Sequence, residues 1–149
     1  MLTTAELASV PLFATLGETE LDSLVCSSAD IHLVPGEYVV NEGDDPALLI
    51  VLDGTMEITR RIDGIERVLG KRTAGEVHGE VCLVYGTSFQ ASGRADGPTR
   101  VLRVEVRDYH AIAASSPDVA RKMGELAQER LGGLQGIAAE ASRVKVTIV

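Results

Sequence analysis

The sequence predicts a mainly β protein with flanking helices, its strands wound as a double-stranded β-helix (a jelly roll) between N-terminal and C-terminal helices. Three observations carry the prediction. Short apolar or alternating runs recur at about 8–12-residue spacing between Ile31 and Val106, each bounded by Gly, Pro, Asp or Asn. Helical periodicity brackets this block on both sides. The chain has 149 residues, 45% hydrophobic but only 3% aromatic, enough for one domain around an aliphatic core.

Thr3 to Val10 reads as a short helix, capped by Thr3 or Thr4 with Glu6 in its first turn, and Pro11 interrupts it. A second helix restarts over Leu16–Glu20 and carries Leu21, Leu24 and Val25 at helical spacing. Val34-Pro35-Gly36-Glu37 is a turn, Tyr38-Val39-Val40 a strand, and Asn41 to Pro46 a second turn. Leu48 to Leu52 is apolar throughout, as a strand covered on both faces would be. Asp53-Gly54 is a hairpin signal, Met56 to Arg60 alternates, and Ile62-Asp63-Gly64-Ile65 marks another hairpin. Val101 to Val106 is a half-buried strand. Arg107 to Ser115 is helical, and Ser116-Pro117-Asp118 opens a further helix, with Ser at the cap and Pro at the first position. Its stripe is Val119, Met123, Leu126, Ala127, Leu131, Leu134, Ile137 and Ala138. Gly132, Gly133 and Gly136 in that helix signify either fraying or close approach of a partner. The expected organisation is therefore helices 3–29, jelly roll 31–106 and C-terminal helices 107–140, one domain over residues 1–140. Arg143-Val144-Lys145-Val146-Thr147-Ile148-Val149 alternates like a strand, so residues 141–149 read as a linker or the first strand of a following domain.

A net charge of −8 argues against a nucleic-acid partner, and the basic pairs Arg60-Arg61 and Lys71-Arg72 read as solvated strand ends. No apolar run approaches the ~20 residues of a membrane span. The N-terminus has no basic segment leading into an apolar block, so the cytoplasm is the expected compartment. Cys26 and Cys82 fit no metal or redox spacing and read as small buried hydrophobes. His32, His78 and His110 lack the His-x-His spacing of a jelly-roll metal enzyme, so no metal site is expected. His78 is the one of them placed to face a ligand or sense pH. Gly64 and Gly70 read as turn glycines. Glu76 and Glu80 are not oriented as an acid–base pair, and no nucleophile motif is present, so no catalytic residue is expected and the chain is not read as an enzyme.

Pro35-Gly36-Glu37, Glu42-Gly43-Asp44, the apolar strand closing on Asp53-Gly54, and Gly79-Glu80 with Leu83 resemble, in order and spacing, the cyclic-nucleotide-binding domains. These occur in catabolite-activator regulators, protein kinase A regulatory subunits and gated channels. The resemblance covers about residues 5 to 138. It implies a phosphate-binding cassette over residues 78–92, with candidate ligand-binding residues Gly79, Glu80, Val81, Cys82, Leu83, Ser88, Phe89, Gln90, Ala91 and Ser92. In the family the cassette Glu takes the ribose 2′-hydroxyl and an Arg takes the cyclic phosphate. Glu80 matches the first. Phe89 stands at the arginine position and Gln90 at the hydroxyl position after it. Loss of that charge-assisted contact costs several kcal/mol, which moves micromolar affinity toward millimolar. Arg94, five residues on, points to the opposite face of a regular strand. Phe89 either stacks on a base or plugs the pocket, and plugging needs no partner.

The expected function is a regulatory small-ligand-binding module with a degenerate cassette, its cyclic nucleotide bound weakly or not at all, with no cofactor in this chain. Its expected partners are a small-molecule ligand and either a fused C-terminal effector or a second copy of the chain. The tail strand resembles the start of the α/β domain in thioredoxin-reductase-like flavoproteins, which would place FAD and NADPH only in that parent protein. The alternatives are a ligand-free interaction or dimerisation domain, and a truncated catabolite-activator-like regulator. The tail argues against the latter, because such regulators continue through a long dimer helix where this chain reads as a strand.

Overall fold

The computed structural model describes the backbone of residues 1–148 and the side chains of residues 1–133. Helix α1 (Thr4–Ala8) starts at a capping box: the Thr3 hydroxyl accepts from Glu6 N at 3.2 Å, and the Glu6 carboxylate accepts from Thr3 N. Pro11–Phe13 forms a 3₁₀ turn that buries Leu12 and Phe13, and α2 (Glu18–Ser27) buries Leu21 and Leu24. Cys26 lies on its exposed side, contrary to the expectation of burial, because Leu21 and Leu24 define the inward stripe and Cys26 falls off it.

Eight strands follow: β1 (Ala29–Leu33), β2 (Tyr38–Val40), β3 (Ala47–Asp53), β4 (Thr55–Ile62), β5 (Ile65–Thr73), β6 (Val77–His78), β7 (Ser92–Ala95) and β8 (Thr99–Glu105). They form two four-stranded antiparallel sheets, ordered β1-β8-β3-β6 and β2-β7-β4-β5. The mainly β fold with flanking helices is thus the one the sequence predicts. Residues Ala47 to Val51 of β3 are fully buried. One face of that strand looks into the sandwich and the other is covered by helices, which is why its sequence is apolar without alternation. Helix α3 (Glu80–Tyr85) interrupts the strands, and α4 (Val106–Ser115) and α5 (Pro117–Ile148) close the fold. Ser116 caps α5, its hydroxyl accepting from Val119 N at 3.3 Å. Val119, Met123 and Ala127 are buried on the core side of α5; Leu134, Ile137, Ala138 and Gly136 lie outside the described side chains.

Several local expectations are corrected. Asp53-Gly54 is not a hairpin, since β3 and β4 belong to different sheets. The chain crosses between the sheets there, and Gly54 (φ +86°) is required because a Cβ would fall 2.4 Å from the Pro98 carbonyl oxygen. The true hairpin is Ile62↔Ile65, around Asp63 and Gly64, both at positive φ. Gly70 is a strand residue inside β5, not a turn. The segment 143–148 is helical, the last turns of α5, where alternation had suggested a strand. A lone strand leaves its backbone groups unpaired, whereas a helix satisfies them internally.

Arg100 of β8 fastens the N-terminal helix to the first sheet. Its Nε and Nη2 donate to the two oxygens of Asp30 at 2.8 and 2.9 Å, and Nη1 donates to Glu6. These contacts hold the Asp30 and Glu6 carboxyls below the usual carboxylate range.

Gly54→Ala is expected to destabilise the fold by about 2 kcal/mol or more, through positive-φ strain plus the carbonyl clash. A guanidinium unfolding curve measures it; an unchanged midpoint would contradict the crossing geometry.

Candidate functional site

The site begins where β6 ends. His78 and Val77 pair with Leu49 and Ile50 of the buried β3, so the chain leaves the sheet with little room. Gly79 makes the turn at φ +104°, and a Cβ there would fall 2.1 Å from the Ala47 carbonyl oxygen and 3.2 Å from the Phe89 ring. The turn delivers Glu80, Val81, Cys82 and Leu83 as the buried first residues of α3. The Gly79 carbonyl accepts from Leu83 N and from Cys82 Sγ, both at 3.0 Å.

Phe89 is held from the other side. Its N–H donates to Asp44 O at 2.9 Å, and its carbonyl accepts from Gly43 N at 2.8 Å. The Asn41–Pro46 turn therefore positions Phe89 through backbone pairing. The Phe89 ring is 2% exposed, packs on the bare Cα of Gly79, and lies 5.2 Å from the His78 ring at a 46° tilt. His78 is buried. Its ring Nε2 lies 3.0 Å from Ala91 O, and because a carbonyl only accepts, that nitrogen carries the proton. Burial depresses the imidazole to about 4, against the opposing pull of Glu80 and the Ala91 bond, so His78 is neutral at pH 7.

Glu80 is 2% exposed. One oxygen, Oε1, accepts from Arg130 Nη1 of α5 at 2.9 Å; the other, Oε2, is buried with no partner among the described residues. Arg130 Nη1 also donates to Val77 O at 3.0 Å, and Arg72 Nε of β5 donates to the same carbonyl at 3.1 Å. Together these groups border a partly open cavity of about 240 Å³. Gly79, Glu80, Val81, Cys82, Phe89, Gln90 and Ala91 line it, with Ile58, Leu69, Arg72, His78, Glu129, Arg130 and Gly133.

Three of the ten cassette candidates lie elsewhere. Leu83 turns into the core, because α3 packs that side on β3. Ser88 sits exposed on the loop, where its carbonyl accepts from Gln90 Nε2 at 3.1 Å. Ser92 opens β7 one residue beyond the inward Ala91 and so faces away. Its hydroxyl accepts from Glu42 N at 2.8 Å beside a second groove with Tyr38 and Glu66. Arg94 is also on that outer side, paired with Glu66 at 2.6 Å and Glu57 at 3.2 Å and lying over the Tyr38 ring, so it does not replace the missing cassette arginine.

Sequence reasoning missed Arg72, Arg130, Ile58, Leu69 and Glu129. Lys71-Arg72 is no solvated pair: Lys71 reaches out to Asp96 at 3.0 Å, while Arg72 turns inward. The signal for Arg72 was the register, since it lies opposite the fully buried Met56. Leu69 is the extra residue of a bulge, where Ile58 pairs with Gly70 and Thr59 with Val68. Arg130 follows Met123 and Ala127 along α5 at seven and three residues, on their edge of the helix.

Residues 30–116 match the sequence model of the family described as Cyclic nucleotide-binding domain. The chain is similar to a cyclic nucleotide-gated potassium channel of Rhizobium etli, 27% identical over 127 residues, which cover 85% of this chain and 34% of the channel. Among solved structures it is similar to the Thermus thermophilus Catabolite Activator Protein (TM-score 0.71, 28% identity, covering 89% of this chain and 63% of that one). It is also similar to the regulatory domain of Toxoplasma gondii PKA with cAMP (TM-score 0.65, 25% identity, 73% and 42%). The chain spans about a third or less of the length of the first curated relatives it matches. Among the described residues, no helix is long and apolar enough to cross a membrane.

A folded-state imidazole near 4 means that between pH 6.5 and 4 the unfolded chain binds more protons than the folded one. His78 should therefore add stability above pH 6.5 that is lost as pH falls toward 4, on the order of 1 kcal/mol per pH unit. His78→Asn, which keeps a donor for Ala91 O, is expected to flatten this part of the stability–pH curve. Parallel curves for the two proteins would show that His78 stays solvated.

Proposed function

Since the chain belongs to the cyclic nucleotide-binding domain family, we propose that it is a regulatory module that reads a small ligand in the cavity beside Glu80 and responds through α5, with its cassette retuned away from cyclic phosphate. The observation that carries this reading is the state of Glu80: one buried oxygen is taken by Arg130 of α5 and the other has no partner among the described residues. A ligand hydroxyl reaching Oε2 and the helix reaching Oε1 address the same carboxylate. Whatever occupies the cavity therefore shifts the balance of the Arg130 contact, and a shift at that contact is a displacement of α5.

Phe89 supports the retuned ligand choice. In the corner over Gly79 it presents a buried ring where a guanidinium would take two phosphate oxygens. An anion forced against that ring loses hydration without compensation. The relatives described are a channel, a kinase regulatory domain with cAMP and an activator protein, so control of an effector, by fusion or by association, is part of the proposal. A flavin-dependent oxidoreductase as that effector draws no support from them, and the strand that suggested it is helical.

A second reading is favoured by α5 itself. It runs over 32 residues from Pro117 to Ile148, where activator-type regulators continue through a long dimer helix. On this reading the chain is the sensing half of such a regulator and pairs with a second copy along α5.

Titration of cyclic AMP and cyclic GMP into the purified chain, to millimolar ligand, is expected to give no micromolar binding, and Phe89→Arg to raise cyclic AMP affinity at least tenfold. Micromolar binding by the unmodified chain would sink the retuned-cassette reading.

A further inference from the structure

Arg72 is the charged side chain of the cavity wall that the Glu80–Arg130 contact leaves unused. The β5 register sets it opposite Met56 and sets Gly70 opposite Ile58, both on the inward face of the sandwich, where side chains are ordinarily apolar. Room for the guanidinium comes from Gly70: a Cβ there would sit 3.4 Å from Arg72 Nη1. Its Nε donates to Val77 O and its Nη1 to Lys71 O, both at 3.1 Å. Nη2 has no hydrogen-bond partner among the described residues, and no carboxylate there lies within ion-pairing distance of Arg72.

Arg130 donates to the same Val77 carbonyl, so two guanidiniums converge on one oxygen. Among the described residues, the buried carboxylate beside them, Glu80, is bonded to Arg130 alone. Glu129 also borders the cavity, from the solvent-exposed side of α5. Glu76 acts on both guanidiniums from the β5–β6 turn. Burial together with the Arg130 charge lowers the Arg72 pKa, against the opposing pull of Glu80 and Glu76. A half-buried guanidinium that no carboxylate touches among the described residues keeps its fork open to an anion. Phe89, Leu69 and Ile58 add apolar lining.

We infer that the cavity takes a small organic anion, a carboxylate or phosphate monoester on an apolar ring-sized body, with its charge on Arg72 at the β5 side rather than in the cassette corner. The inference rests on the cavity being a ligand site. The guanidinium offers its unused N–H groups as a planar fork to two anionic oxygens, the ring packs on Phe89, and a ligand hydroxyl donates to Glu80 Oε2.

The test follows the arginine Nε–H signals of the ¹⁵N-labelled chain during titration with 4-hydroxybenzoate, phenyl phosphate and the uncharged 4-hydroxybenzamide. The Arg72 signal is assigned by its loss in Arg72→Gln. Saturable shifts of that signal with an anion, at least tenfold tighter than with the amide, are expected, and the tighter of the two anions identifies the group. Arg72→Gln is expected to reduce the anion to the level of the amide. Arg72→Lys, which keeps the charge and loses the fork, should fall between and serves if the glutamine variant does not fold. An Arg72 signal that no anion moves, or that the amide moves equally, overturns the anion site, as does anion binding retained in Arg72→Gln. Binding of the amide alongside such a failure leaves the ligand module standing. Micromolar cyclic AMP binding by the unmodified chain removes the retuned cassette whatever Arg72 does.

Discussion

The architecture of the site depends on one close approach, that of Gly79 to the Ala47 carbonyl on one side and the Phe89 ring on the other. β3 is buried on both faces, and the two-residue β6 is paired directly to it. A chain leaving β6 must therefore turn against packed backbone, and only a residue without a side chain fits. Once that turn is made, α3 has one direction available, Glu80 is carried inward, and the Phe89 ring can settle on the Cα. Replace the glycine and every later distance in the site changes with it.

The second organising element is charge inside a sandwich. Interiors of this kind are ordinarily apolar, yet here two arginines and a glutamate share one end of the cavity with a single backbone carbonyl, Val77 O. Their arrangement is asymmetric: Arg130 satisfies one oxygen of Glu80, and Arg72 satisfies none. Buried ion pairs contribute little net stability against apolar replacements of equal volume. On the proposed reading these groups serve the ligand rather than the stability of the fold.

Much of the fold was legible in the residues. Turn punctuation and the apolar run Leu48–Leu52 located the strands, and Thr3 with Glu6 and Ser116 with Pro117 located two helix starts, because each signal is local and has a local cause. Asp53-Gly54 misled because the same dipeptide serves a hairpin and a sheet crossing; which of these it makes is decided by Pro98, 44 residues away. Val144 to Ile148 misled because β-branched alternation is only a weak preference, which helix continuation overrides. In the site, Glu80 and Phe89 were visible from the cassette pattern. Arg72 was not, since its direction follows from the pairing with Met56, and the bulge at Leu69 that re-aims the neighbouring side chains has no sequence mark of its own. Arg130 lies 50 residues from Glu80, and no periodicity connects them.

Glu129, Arg130 and Gly133 place part of the cavity wall on α5. On the proposed reading, occupancy of the cavity and the seat of the helix are linked through the Glu80–Arg130 pair. Such a link is reciprocal: whatever an attached effector does to α5 would change the affinity of the cavity by the same factor that the ligand changes the helix. The sensor would then report on the state of its effector as well as on its ligand.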